Sequence, residues 1–199
     1  MHQPTLFPTT VTRSAAPLVA TLAATLAAAV ALALPAAGAA ARADTAVGPW
    51  ADQVCAALTG WTAAAEQKAA TLEQSIDPKS LPRSRAAFSR FLDDVVRETD
   101  RMIVRVDIAG TPAVKSGPAI RQRLRVLLVR ARGLLADARR TAAGLSLTDR
   151  LSFGKGATSI GDTIQKQFDA LASAFDQLDR AYPSAELDRA FSRPACGKL

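Results

Sequence analysis

The chain has 199 residues with a formal net charge of +7, and 49% of its residues are hydrophobic. Residues 1–43 hold Arg13 and Arg42 and no acid, so residues 44–199 carry +5, and the single histidine, His2, precedes them. Without histidine, residues 44–199 have no Ser-His-Asp or Cys-His arrangement and no histidine-containing metal site. This excludes the common hydrolytic chemistries, and we expect no enzyme activity, no metal and no cofactor.

An uncharged stretch from Ser14 to Ala41 opens the chain, broken by Pro35. Ala41-Arg-Ala43 before Asp44 satisfies the small-x-small cleavage rule, and Ala37-Gly-Ala39 is a second acceptable site. Residues 1–43 are expected to be a signal peptide, or an N-terminal membrane anchor if the segment is retained. No twin arginine precedes the stretch, and Cys55 follows Asp-Gln-Val rather than a lipobox, so the general secretory route is expected without a lipid anchor. Residues 44–199 then form one domain, long enough to bury a real core.

The apolar spacing of that domain is helical nearly throughout. The first helix places Trp50, Val54, Ala57, Leu58, Trp61, Ala65, Ala69, Leu72 and Ile76 on one face. Asp77-Pro78 and Leu81-Pro82 punctuate, because a residue before proline is pushed out of the α region. A second helix, from about Pro82 to Ala109, buries Phe88, Phe91, Leu92, Val95, Thr99, Met102 and Val106, and stops at Gly110-Thr-Pro112. Pro118 opens a third, carried by Ile120, Leu124, Leu127, Leu128, Ala131, Leu134, Leu135 and Ala138 and ending near Gly144.

Leu145 to Gly156 reads as a loop. A fourth helix is expected from about Ala157 to Ala181, and Ser184 to Ser192 adds a short one with Leu187 and Phe191. The predicted fold is all-α: an antiparallel up-down-up-down four-helix bundle with a short C-terminal helix and tail tied by a disulfide. Such a bundle brings the start of its first helix and the end of its fourth to the same end, where Cys55 and the tail bearing Cys196 need to meet. They would form one disulfide in an oxidising compartment, closing a loop worth up to about 5 kcal/mol of chain entropy.

Charge spacing suggests a register. Arg125, Arg132 and Arg139 repeat every seven residues on the third helix, as Asp162, Asp169 and Asp176 do on the fourth. Paired in reverse order, their numbers add to one total, as an antiparallel hairpin requires. Glu66 with Arg90 and Glu73 with Arg83 behave similarly in the first hairpin. Asp93, Asp94 and Glu98, and Asp176 with Asp179, fall on polar faces and read as solvated rather than catalytic.

Ser152-Phe-Gly-Lys-Gly-Ala-Thr158 superficially suggests a phosphate loop. It lacks the upstream glycine, the hydroxyl residue after Lys155 and a preceding strand. With three arginines assigned to the Asp162 row, Arg121, Arg123, Arg130 and Arg140 remain as a candidate surface for an anionic envelope component or another exported protein. Export and the lack of aromatic interleaving on that face argue against nucleic acid. Membrane contact is expected only if the N-terminal segment is retained. Trp50, Trp61, Phe168, Phe175 and Tyr182 are the candidate lining of a ligand cavity in the bundle.

The opening Trp50-Ala-Asp-Gln-Val-Cys55, Trp61 after it, the Ala109–Gly117 connection and the Phe191…Pro194-Ala-Cys196 ending together resemble uncharacterised small secreted proteins of actinobacteria. The resemblance spans nearly all of residues 44–199. It implies export and a helical domain and transfers no catalytic residues. The function expected is that of a non-catalytic interaction or structural module at or outside the cell envelope; the alternative is a carrier of a small apolar ligand.

Overall fold

A computed structural model describes residues 44–194 and Cys196, apart from the side chains of Ala172, Asp176, Leu178 and Asp179. The expected signal or anchor segment, residues 1–43, lies outside the described residues. Five helices follow in order: α1 (Val47–Ser75), α2 (Leu81–Ala109), α3 (Gly117–Ala143), α4 (Arg150–Ala181) and α5 (Ala185–Phe191). The fold is all-α, with α1 packed on α2, α2 on α3, α3 on α4 and α5 on α1. Among the described residues no helix is long and apolar enough to cross a membrane.

Local chemistry sets each boundary. Before α1, Thr45 is held on the α2–α3 connection: its N–H donates to Thr111 O (2.7 Å), and its carbonyl accepts from Ala113 N (2.8 Å). Ser80 caps α2, where Pro82 lies in the first turn and needs no partner for a missing N–H. Gly110 ends α2 at φ 81°, a conformation that side chains with a Cβ rarely adopt. Ser184 caps α5 by accepting from Leu187 N.

The start of α4 corrects the expected loop. Asp149 Oδ1 accepts from Ser152 N and Oδ2 from Ser152 Oγ, both at 2.8 Å, while the Asp149 carbonyl accepts from Phe153 N. This cap nucleates the helix seven residues earlier than predicted, and Gly154 and Gly156 lie inside it. A Cβ on Gly156 would meet Leu145 Cδ2 at 2.6 Å. The glycine that reads as a loop signal therefore serves close packing between α4 and the α3–α4 turn.

The core has two halves. One gathers Trp50, Val54, Met102, Val106, Ile120, Leu124 and Leu187 at the disulfide end; the other gathers Leu92, Ala138, Ala142, Leu145 and Ile160 at the opposite end. Thr99 is fully buried between them, and both capacities of its hydroxyl are used: it donates to Val95 O (2.8 Å) and accepts from Trp61 Nε1 (2.9 Å). Phe88 and Phe91 pack on the second half only partly buried. Ile76 falls outside α1 and is exposed.

The charge ladder is also corrected. Arg125 pairs with Asp107 (3.2 Å), Arg132 with Asp100 (2.9 Å) and Arg139 with Asp93 (2.7 Å). The ladder ties α3 to α2, with no pair to Asp162 or Asp169 of α4, and it carries the same seven-residue repeat and constant total. The side chain of Asp176, the expected partner of Arg125, is outside those described. In the first hairpin Arg83 pairs with Asp77 and Lys68 with Asp94, replacing the expected Glu73 and Glu66 pairings. Asp94 and Glu98 also pair within α2, with Arg97 and Arg101.

Candidate functional site

The disulfide end of the bundle holds a half-open cleft of about 470 Å³. Helix α1 contributes Trp50, Val54 and Leu58, and α3 contributes Ile120 and Leu124. From α4 come Phe175 and Tyr182, and α5 with its C-cap adds Leu187, Asp188, Phe191 and Ser192. The volume suits a small ligand, and the lining is mostly apolar with a few polar groups at the rim.

The cleft exists because α5 is fastened to α1. Cys55 and Cys196 form a disulfide with their Cα atoms 5.0 Å apart. Arg193 reinforces it through an ion pair to Asp52 at 2.8 Å. Phe191 then meets Trp50 edge to face, at 5.9 Å between ring centres. Trp50 is buried, and its indole N–H donates to Gly110 O at 3.2 Å, which fixes the ring in the floor of the cleft.

Of the five candidate cavity residues, Trp50, Phe175 and Tyr182 line the cleft together. Trp61 and Phe168 lie further along the bundle, where their rings stack at 6.0 Å and join α1 to α4. Leu187, Asp188, Phe191 and Ser192 line the cleft from the α5 side and lay outside the five sequence candidates, as did the aliphatic residues of α1 and α3. The available signal was the disulfide itself: a bond from Cys196 to Cys55 obliges the short helix before it to lie beside Trp50.

The arginines of α3 divide into two groups. Arg125, Arg132 and Arg139 belong to the ladder, and the hydrogen bonds and charge of Asp100 hold the Arg132 pKa above its ordinary value. Of the four candidates for an anionic partner, Arg140 pairs with Asp137 on its own helix. Arg121, Arg123 and Arg130 have no ion-pair partner among the described residues. Arg123 borders a small separate cleft with Val126, Leu127 and the other side of Tyr182, and Val126 and Val129 beside these arginines are half exposed.

A cleft of about 540 Å³ at the other end of the α3–α4 hairpin is lined by Thr141, Ser152, Ser159 and Thr163 over Leu134, Ala138 and Ile160. Among the described residues no aromatic ring lines it, and its one charged group, Asp137, is already paired with Arg140. Ser152 and its neighbours, which resemble a phosphate loop in sequence, are part of α4 rather than a loop.

The fold and site together define a disulfide-strapped helical bundle with an aromatic cleft at its strapped end. Compared with known proteins, the chain matches no protein-family model, no curated protein and no solved structure.

Proposed function

We propose that the protein is an exported, non-catalytic binding protein that carries a small apolar ligand in the cleft beneath α5. The observation that carries this reading is the convergence of Trp50, Phe175, Tyr182 and Phe191 on one cleft of about 470 Å³. Export is supported by the apolar, Ala-rich segment before Asp44, by the disulfide, which persists in oxidising compartments, and by the actinobacterial resemblance. The absence of histidine from residues 44–199 supports a non-catalytic role.

Titration with the uncharged apolar dye Nile red, read by dye and tryptophan fluorescence, tests the carrier. One saturable site per chain is expected, and Leu124→Trp, which fills the cleft, should abolish it. Unsaturable binding, or binding indifferent to that substitution, overturns the reading. Sequencing the amino terminus of protein recovered from culture medium tests export, with a start at Asp44 expected.

A second reading rests on Arg121, Arg123 and Arg130, whose guanidinium groups have no ion-pair partner among the described residues. Arg123 and Arg130, two helical turns apart, give α3 a positive face suited to an anionic envelope component, while Arg121 stands on the α2 side beside Asp107 and Arg125. Capture of one defined partner from envelope extracts at low salt, lost at high salt and lost on Arg→Gln substitution at all three positions, would favour it.

A further inference from the structure

We propose that the ligand taken by this cleft is an organic ammonium ion with an apolar body, and that Asp188 is its counter-ion. The inference deepens the carrier reading and depends on it. Four aromatic rings, those of Trp50, Phe175, Tyr182 and Phe191, border the cleft, and the negative face of an aromatic ring attracts a cation. Asp188 is the one carboxylate among the described residues that borders the same space.

That carboxylate is uncommitted. The hydroxyl and N–H of Ser192 donate to the backbone carbonyl of Asp188, at 2.7 and 3.0 Å, and not to its side chain. Arg193, the nearby cation of the tail, is engaged with Asp52. Arg189 follows Asp188 on α5 but does not border the cleft. Asp188 therefore has no ion-pair partner among the described residues, and it stands at the exposed mouth, where a ligand's head group would rest.

The opposite choice, an anionic amphiphile, finds no cation in the lining among the described residues. Arg123 borders a different cleft, across Tyr182. The depth of the cleft, set by Val54, Leu58, Ile120 and Leu124, demands more than a bare ammonium group. An alkyl chain or fused ring fills it, and the positive head remains between the rings and Asp188.

Calorimetric titration of the disulfide-bonded protein with three decyl compounds, all below their micelle concentrations, tests this. Decyltrimethylammonium should bind about tenfold more tightly than neutral decyl glucoside, and decanoate more weakly than either. Asp188→Asn should remove most of the preference for the cation and leave decyl glucoside unchanged, while Asp137→Asn changes neither. Raising the salt should narrow the gap between cation and neutral compound.

Equal binding of all three compounds, or a preference for decanoate, overturns the ammonium assignment and leaves the apolar carrier standing. Retention of the cation preference in Asp188→Asn overturns the role of that carboxylate. Failure of every compound to bind, with Nile red also unbound, overturns the carrier and the assignment together.

Discussion

Gly117 opens α3 under the Pro112 carbonyl, and a Cβ there would lie 2.0 Å from that oxygen. The obstacle is backbone, which cannot rotate aside as a side chain can. Gly133 lies in the same helix with nothing within 4 Å of the corresponding position. Gly117→Ala should destabilise the protein by about 1–3 kcal/mol. Gly133→Ala should stabilise it by about 0.5–1 kcal/mol, because alanine gives up less chain entropy in a helix. Thermal melting of the two variants checks both signs. A second residue-scale effect depends on pH. The hydrogen bonds from Ser152 N and Ser152 Oγ hold the Asp149 carboxyl below its usual range. A lowered folded-state pKa contributes stability above the unfolded value of about 4 and loses it as pH falls through the folded value. Asp149→Asn should therefore lower the melting temperature modestly near neutrality and flatten its acid limb, the two proteins converging in acid; an unchanged acid limb would refute the assignment.

Among the elements, the α2–α3 ladder sets the register that the sequence left ambiguous. Acids repeat every seven residues on both α2 and α4, so the constant-total rule suits either neighbour. Position round the helix decides. Arg125, Arg132 and Arg139 each follow a buried residue, Leu124, Ala131 and Ala138. Leu127 and Leu134, which border α4, occupy the other edge of α3. Exchanging the charges, Asp100→Arg with Arg132→Asp, should restore the melting temperature lost in either single variant, while Asp169→Arg should leave it unchanged. Failure of the exchange to restore stability would refute the ladder as a register device. Helix number, order and most caps were legible because proline, glycine and serine punctuate the chain at α2, α3 and α5. The start of α4 was hidden, because Gly154 and Gly156 signal a loop locally and the contact with Leu145 appears only on folding. The cleft was half legible: Trp50, Phe175 and Tyr182 stood among the candidate aromatics, but a distant cysteine placed Phe191 and Asp188.

Across the whole molecule, the bond between Cys55 and Cys196 closes a span of 141 residues and fixes α5 against α1. Chain-entropy reasoning gives up to about 5 kcal/mol for so long a loop. Removing both cysteines as serines should then lower the melting temperature by up to about 10–20 °C for a domain of this size. Nile red affinity should fall as well, since α5 would no longer wall the cleft. Circular dichroism and dye titration with and without reductant check these outcomes. Unchanged melting on reduction would show that the ion pair of Arg193 with Asp52 and the Trp50–Phe191 contact suffice to hold α5. The bond also determines how the folded unit carries tension. A pull at Asp44 and beyond Cys196 loads residues 44–55 and the disulfide, while α2, α3 and α4 lie off the line of force. With the bond intact the bundle is a nearly inextensible link. Once it is reduced, the same pull can draw out the intervening span, a lengthening on the order of 500 Å at about 3.4 Å per residue.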